Sequence, residues 1–290
     1  MTAGAPAKKV LITGGTDGLG KAAAILLAQR GWRVFASGRS AEKRAQMDAL
    51  ARERKLSIET VEMDVCSDAS VAAAVRTVIA RAGALDALIN NAGVGYVAAV
   101  EDLRLEDLRA QFETNFFGVV RVTQAALPHM REKRRGRILV ISSVAGLIVP
   151  PTYGAYSGSK FALEGLSNAL RLEVAPFGIK VVLIEPGYII TSFQQTAADL
   201  TQPYAEKIKS GPYARIYEGA WAGAKSGRAK SKATPEDFAR VVLRAMESSR
   251  PSARYGVTPL ATFAAFARRF FPDWALDAFL RRRFHIPDKV

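Results

Sequence analysis

The sequence predicts an α/β fold in which helices cover both faces of a doubly wound parallel sheet of about seven strands, with a helical extension at the C-terminus. Two observations favour this class. Short β-branched apolar runs alternate with longer segments of helical periodicity along most of the chain. The first run also leads into a glycine-rich turn and then a helical pattern, which is how a nucleotide-binding β-to-α unit is built.

The first unit consists of a strand at Val10–Thr13, a glycine-rich turn at Thr13–Gly20 and a helix at Lys21–Arg30. Glycines let the backbone approach a pyrophosphate, and the N–H groups at a helix start point towards it. The turn therefore predicts a phosphate site. Its candidate residues are Gly14, Thr16, Asp17, Gly18, Leu19 and Gly20.

The second strand, Val34–Ser37, ends in Gly38, Arg39 and Ser40. A carboxylate after this strand binds the ribose 2′-hydroxyl of NAD, whereas an arginine suits the 2′-phosphate of NADP. Arg39 therefore favours NADP(H), with NAD(H) as the alternative, and Ser40 is a further candidate for cofactor binding. The other interpretation of Arg39 is a plain surface charge in a turn.

Two further strands and a long helix follow. Ile58–Glu62 leads to Asp64-Val65, and Leu85–Ile89 ends in Asn90-Asn91-Ala92-Gly93. Apolar residues at helical spacing then predict one largely buried helix over Leu105–Arg131. Asn115 lies within that helix, where a buried amide needs a partner. It is either a functional group or a satisfied core asparagine.

The next strand is predicted at Ile138–Ile141, and Ser143 follows it where ligands bind in open α/β sheets. A helix beginning after Gly154 would place Tyr156 and Lys160 one turn apart on one face. A phenol has an ordinary pKa of about 10, and an adjacent cation lowers that pKa. Tyr156 would then serve as a proton shuttle. Otherwise Tyr156 is an ordinary aromatic at a helix start and Lys160 a solvated charge.

The last two strands are predicted at Lys180–Ile184 and Arg254–Val257, with a helix at 235–248 between them. Residues 191–232 are expected to cover the substrate. Their aromatic residues indicate a mostly apolar pocket, although helices packed on the body of the protein would need the same side chains. These residues are Phe193, Tyr204, Tyr213, Tyr217 and Trp221.

Beyond the seventh strand, Leu260–Phe284 mixes aromatic residues with arginines, and Pro272 should divide it into two helices. We favour packing of this basic amphipathic pair against a neighbouring subunit. Contact with a membrane surface and a lid over a lipophilic substrate are the alternatives. We expect one domain at 1–257, with 258–290 as its extension.

These motifs, in this order, resemble the short-chain dehydrogenase/reductase family over about residues 8–257. The shared patterns are TGxxxGxG at Thr13, NNAG at Asn90, Ser143 before YxxxK at Tyr156, and PGxxxT at Pro186. The length beyond the seventh strand is similar to that of the hydroxysteroid and retinol branch. The resemblance implies a Rossmann-type fold, a homodimer or homotetramer, and reversible hydride transfer between a nicotinamide and a carbonyl or secondary alcohol.

The resemblance also implies roles for individual residues. Ser143 would bond the substrate oxygen, Tyr156 would exchange its proton, Lys160 would lower the Tyr156 pKa and hold the nicotinamide ribose, and Asn115 would support proton resupply through water. The implied cofactor contacts elsewhere are Asp64, Val65, Asn91, Ala92, Gly93, Pro186, Gly187, Ile189 and Thr191. One departure is Asp17, where many NADP-dependent members carry a basic residue.

The implied substrate is a hydrophobic ketone or alcohol. A ketoreductase acting on carrier-protein or CoA thioesters is the alternative enzyme, since a basic C-terminal third could attract an acidic carrier. A non-catalytic NADP(H)-binding sensor is the alternative from another class. Retention of Asn115, Ser143, Tyr156 and Lys160 together disfavours the sensor.

Composition sets the remaining expectations. The chain has 290 residues, one cysteine (Cys66), two histidines and a net charge of +14. With no apolar leader and no run of membrane-spanning length, we expect a cytoplasmic protein without disulfides or a metal site. Residues 201–290 hold 17 lysines and arginines against 8 acidic residues. No nucleic-acid-binding motif accompanies them, so we expect a solvated basic surface and no nucleic-acid partner.

Overall fold

The computed structural model describes residues 7–287, without the side chains of 228–230. Its centre is one sheet of seven strands in the order β3-β2-β1-β4-β5-β6-β7, with every neighbouring pair parallel. The strands are β1 Lys9–Ile12, β2 Arg33–Gly38, β3 Ile58–Glu62, β4 Ala87–Asn90, β5 Gly136–Ile141, β6 Ile179–Glu185 and β7 Arg254–Gly256. The predicted doubly wound Rossmann-type fold is confirmed.

Helices lie on both faces of the sheet. They are α1 Gly18–Gln29, α2 Ala41–Glu53, α3 Asp68–Ala82, α4 Leu105–Phe112, α5 Gly118–Glu132, α6 Gly154–Val174, α7 Phe193–Thr201, α8 Ala205–Ser210, α9 Ala214–Lys230, α10 Pro235–Glu247, α11 Pro259–Phe270 and α12 Asp273–Arg283. Alternate residues of β1 enter different cores. Val10 and Ile12 pack with α1 and α10, whereas Leu11 packs with α3, α5 and α6.

The strand order fixes the place of the ligand site. Chain connections diverge between β1 and β4, because β2 and β3 extend the sheet on one side and β5 to β7 on the other. Such a switch point leaves a crevice at the carboxyl ends of the strands. The glycine-rich turn before α1 and the Asn90–Gly93 turn after β4 meet there.

The helix predicted over Leu105–Arg131 is interrupted. A π-helical turn at Glu113–Phe117 separates α4 from α5, and the N–H of Gly118 donates to the carbonyl of Glu113. Asn115 lies within this turn and is fully buried. Single π turns inside α-helices are frequent at functional sites, and apolar periodicity alone gives no sign of the extra residue.

The C-terminal extension forms two helices, as Pro272 predicts. Helix α11 ends at Phe270, Pro272 precedes the first turn of α12, and Thr258 caps α11 by accepting from the N–H of Ala261. In the part of the chain that the structure describes, no helix is both long and apolar enough to cross a membrane.

Candidate active site

A cleft of about 1180 Å³ opens at the carboxyl edge of the sheet, and almost all the predicted site residues line it. Gly20 and Asn115 are the exceptions. The predicted residues on its wall are Gly14, Thr16, Asp17, Gly18, Leu19, Arg39, Ser40, Asp64, Val65, Asn91, Ala92, Gly93, Ser143, Tyr156, Lys160, Pro186, Gly187, Ile189 and Thr191.

At one end, the glycine-rich turn is held by the turn after β4. The side-chain amide of Asn91 donates to the carbonyls of Thr13, at 2.9 Å, and Gly14, at 3.2 Å. A Cβ on Gly20 would overlap the Gly14 carbonyl oxygen, so this glycine lets α1 start directly against the turn. Gly20 therefore lies behind the turn and does not line the cleft, and its contact with a cofactor stays a prediction.

Gly14 and Gly18 have φ angles of +62° and +51°, which favour glycine. At these two positions the cleft is lined by backbone with no side chain, next to the start of α1. This arrangement fits a dinucleotide pyrophosphate.

The end of the cleft near β2 contains a cation that the sequence analysis missed. Lys43, in the first turn of α2, lines the cleft beside Arg39 and forms an ion pair with Asp17. Partial burial opposes ionisation of Asp17, but hydrogen bonds from Lys43, Ser192 and Gly18 outweigh it and lower the pKa of Asp17. The negative charge at Asp17 is therefore compensated by Lys43. Only the folded turn reveals this pairing, because 26 positions separate the two residues.

The reactive side chains converge where β5 meets α6. Ser143 follows β5, and its Oγ accepts from the N–H of Ala145 at 3.1 Å. Ser143 is also hydrogen-bonded to Tyr156. Lys160 Nζ donates to the carbonyl of Ile141 at 2.8 Å and lies 5.6 Å from the centre of the Tyr156 ring. The structure thus brings the three side chains together.

The pKa values of this group differ from the prediction. Burial raises the pKa of Tyr156 to about 12, opposed by the Ser143 hydrogen bond and reinforced by Tyr153. Burial lowers the pKa of Lys160 to about 8, opposed by Glu164. The expected lowering of the Tyr156 pKa by Lys160 is not found. The reason is geometric, since the ammonium is held at the Ile141 carbonyl and over the face of the ring.

Asn115 holds the loop after β4. Its Oδ1 accepts from the N–H of Val94 at 2.9 Å, and its Nδ2 donates to the Val94 carbonyl at 3.0 Å and to Ser159 Oγ at 3.2 Å. Gln111, which the sequence analysis did not select, donates to the same carbonyl at 2.8 Å and accepts from the N–H of Tyr96 at 2.8 Å. The two amides fix the cleft wall opposite α6.

The other end of the cleft is covered by α7 and α9, which with α8 form the lid segment, residues 193–230. Phe193 and Trp221 line the cleft as predicted, and the Phe193 ring lies 5.7 Å from that of Tyr156. Other apolar residues here are Val94, Val97, Pro150, Ala197, Ala198, Ala222 and Ala224. Polar residues of the lid segment also line the cleft, namely Gln194, Thr196, Thr201 and Lys225.

Three of the five aromatic residues assigned to the pocket instead support the lid segment. Tyr204 donates to Asp107, and Tyr217 donates to Asp102 at 3.0 Å, both beneath the lid. Tyr213 donates to Glu101 at 2.6 Å near the surface. The alternative interpretation, packing on the body, is correct for these tyrosines.

Comparison with known proteins identifies relatives among oxidoreductases. The chain is 35% identical over 255 residues to retinol dehydrogenase 8 of Bos taurus, covering 85% of this chain and 80% of that protein. It is 34% identical over 255 residues to human 17-beta-hydroxysteroid dehydrogenase type 1, covering 86% and 77%. A 3-ketodihydrosphingosine reductase of Bacteroides thetaiotaomicron is 44% identical over 184 residues, which are 63% of this chain and 65%, less than two thirds, of that protein.

Solved structures share the fold. A short chain dehydrogenase/reductase of Burkholderia phymatum in complex with NAD has a TM-score of 0.79 at 24% identity, covering 93% of this chain and 95% of that one. A variant of actinorhodin polyketide ketoreductase with NADPH has a TM-score of 0.74 at 30% identity, covering 87% and 95%.

The family described as short chain dehydrogenase matches residues 8–201, which include the glycine-rich turn and all the converging reactive side chains. The chain therefore belongs to the short-chain dehydrogenase family of oxidoreductases, and its relatives include retinol and hydroxysteroid dehydrogenases.

Proposed function

We propose that the protein is an NADP(H)-dependent oxidoreductase that interconverts a carbonyl and a secondary alcohol on a hydrophobic substrate. The observation that carries this proposal is the convergence of Ser143, Tyr156 and Lys160 at the apolar end of a cleft whose other end is a phosphate cradle. The site can hold a dinucleotide along the sheet edge with a small apolar molecule beside the phenol.

The chemistry of the residues follows from their contacts. Ser143 can donate its proton to a substrate oxygen that takes the place of the Tyr156 hydroxyl as its partner, while its Oγ still accepts from the N–H of Ala145. Tyr156 is protonated at neutral pH, since its pKa is about 12, and can transfer that proton to the same oxygen in the reductive direction. Lys160, anchored at Ile141, holds the ammonium near the phenol as the proton leaves.

A bound nicotinamide supplies or accepts the hydride. The residues proposed to hold the cofactor are those that line the cleft from Gly14 to Thr191, with Lys160 at the nicotinamide ribose. Asn115 is proposed to support proton resupply through water beside Lys160, in addition to holding Val94.

A preference for NADP(H) over NAD(H) is supported by Arg39, by Ser40 and by the lack of an acidic residue in the turn after β2. Lys43 adds a second cation at this end of the cleft. Its ion pair with Asp17 compensates the negative charge that would otherwise repel a 2′-phosphate. NADPH is also the ligand of the actinorhodin polyketide ketoreductase. NAD(H) is the alternative cofactor.

The test of the reaction uses Tyr156→Phe, which removes one oxygen and keeps the ring. We expect loss of nearly all turnover with NADPH binding retained, measured by NADPH absorbance against a panel of hydrophobic ketones and alcohols in both directions. A matched control is Tyr213→Phe, at the surface of the lid segment. An active Tyr156→Phe enzyme would remove the proton-transfer role.

A second candidate function is reduction of carrier-protein or CoA thioesters. It is favoured by the basic C-terminal third and by the likeness to a polyketide ketoreductase. Turnover of a 3-ketoacyl thioester, with no turnover of free hydrophobic ketones, would select it. NADPH binding without turnover of either class would select the non-catalytic sensor.

We also propose a homodimer or homotetramer. The π turn before α5 and helix α6 carry exposed apolar residues, Phe117 on the turn and Phe161 and Leu172 on α6, which would form a surface for a second copy. Molar mass by light scattering tests the assembly. A cytoplasmic location stays a prediction.

A further inference from the structure

Helix α11 is arranged with small residues inward and large residues outward. Ala261, Ala264 and Ala267 are at most 2% exposed and face the body of the protein. Phe263, Phe266 and Phe270 are 46%, 55% and 61% exposed. An ordinary surface helix buries its largest apolar residues. Helix α11 instead exposes them, which leaves an apolar surface available to a binding partner.

Helix α12 extends the same surface. We define the aromatic face as Phe263, Phe266, Phe270, Phe271, Trp274 and Phe279. The Phe263 and Phe279 rings meet across the two helices, with centroids 6.2 Å apart, and within α11 the Phe266 and Phe270 centroids are 4.7 Å apart. Trp274 is 75% exposed. A contiguous exposed patch of this kind marks an interaction site.

Positive charge accompanies the aromatic face on both helices. Five arginines lie on the two helices, against two acidic residues, Asp273 and Asp277. Arg268 pairs with Asp273, and Arg269 lies 5.7 Å from the centre of the Phe270 ring. The arginines are Arg268, Arg269, Arg281, Arg282 and Arg283.

The charge distinguishes two occupants. In a two-fold pairing of identical faces, each arginine-rich rim would meet its own copy, and like charges across an interface are unfavourable. An anionic lipid surface complements the rim, and aromatic residues with arginine suit the boundary between headgroups and acyl chains.

We infer that the aromatic face of α11 and α12 binds the surface of an anionic membrane, with the rings at the acyl boundary and Arg269 and Arg282 at lipid phosphates. The contact is peripheral, because in the described chain no helix is suited to span a bilayer. This inference does not depend on the proposed reaction.

The test measures co-sedimentation of the full chain with vesicles of phosphatidylcholine alone or mixed with phosphatidylglycerol. We expect binding to the mixed vesicles that weakens with salt, and little binding to phosphatidylcholine. Phe266→Ser/Phe270→Ser should weaken binding by tenfold or more. Arg269→Gln/Arg282→Gln should also weaken it, by about tenfold or more.

Matched controls remove equal apolar area or charge elsewhere. Val100→Ser/Leu105→Ser alters exposed apolar residues, and Arg52→Gln/Arg54→Gln alters exposed arginines of α2 and its C-terminal cap. Both should bind like the wild type. Circular dichroism verifies folding, and the arginine pair keeps the test valid if the phenylalanine pair misfolds.

Two results would overturn the inference. One is no binding to anionic vesicles by the wild type, especially if Phe266→Ser/Phe270→Ser lowers the molar mass in light scattering, which would assign the face to a second copy. The other is equal loss of binding in the Arg52→Gln/Arg54→Gln control, which would make the attraction a property of net charge.

Discussion

At the residue scale, burial moves the pKa values of Tyr156 and Lys160 in opposite directions, to about 12 and about 8. Lys160 is therefore the group of the pair that titrates nearest to neutrality. As pH rises through about 8, its ammonium loses its charge, which would weaken the hydrogen bonds that we propose it makes to the nicotinamide ribose.

We expect the affinity for NADPH, measured by fluorescence titration, to fall as pH rises through about 8. Lys160→Met should bind more weakly at low pH and lose this dependence. The folded-state pKa lies below the ordinary value of 10.5, so the charged form is the one that burial disfavours. A wild-type affinity that stays flat across this range would contradict the assignment to Lys160.

Cofactor selectivity is also decided by single residues. Arg39→Asp should weaken NADPH binding by about tenfold or more relative to NADH, since a charge-assisted contact to a phosphate is lost and a repulsive charge is added. Lys43→Gln should change the ratio in the same direction by less, because Lys43 is shared with Asp17. The ratio of kcat/KM for the two cofactors measures both.

The matched control for selectivity is Arg52→Asp, an exposed change on the same helix as Lys43 but away from the cleft. It should leave the ratio unaltered. If Arg39→Asp also leaves the ratio unaltered, Arg39 is a surface charge and does not select the cofactor.

At the scale of elements, two glycines of α9 allow close packing of the C-terminal end of α12. A Cβ on Gly219 would overlap the carbonyl oxygen of Phe284, and a Cβ on Gly223 would overlap its ring. Both glycines lie on the helix that carries Trp221 into the cleft. The turn at Phe284 thus packs directly on α9 and restrains the lid segment, and we call this contact the strap.

Gly219→Ala should release this strap, because the new methyl group meets backbone that cannot rotate away. We expect a loss of about 1–3 kcal/mol in the free energy of unfolding and faster hydrogen exchange in 214–227 and 281–287. Gly165→Ala on α6 is the control, since its Cβ would meet no atom of the described residues within 4 Å. Equal exchange rates in the two variants would rule out the strap.

The elements also show what sequence patterns can and cannot predict. Strands and most helices are predictable because burial on one or both faces imposes a period on the residues. The π turn at Asn115 adds one residue without altering that period enough to be seen. In the sequence analysis, the lid tyrosines were assigned to the pocket. An aromatic residue looks the same in the sequence whether it faces a cleft or, like Tyr217, donates to a buried aspartate.

At the scale of the whole molecule, long-range polar pairs lie beyond sequence reasoning. The convergence of Ser143, Tyr156 and Lys160 was predictable because these residues sit at short spacings near one strand end. Arg254 on β7 instead contacts Glu164 on α6 at 3.0 Å and lies 3.4 Å from Glu185 at the end of β6. These contacts join three elements that only the folded sheet brings together.

This cluster should set the pH dependence of stability. Burial raises the pKa of Glu185 from 4.5 to about 7, reinforced by Glu164 and opposed by Arg254. Between these values the unfolded chain releases the proton that the native protein keeps, so stability should decrease as pH rises from about 4.5 to about 7 and then level off. At about 1.4 kcal/mol per pKa unit, the full effect is about 3 kcal/mol.

Glu185→Gln removes the ionisation while keeping the shape. We expect the variant to be more stable than the wild type above about pH 7, and to lose most of the decrease in stability between about pH 4.5 and 7. Urea unfolding at both ends of this range measures the effect. Glu53→Gln, at an exposed site on α2, should keep the wild-type dependence. If Glu185→Gln keeps it as well, the pH dependence does not come from Glu185.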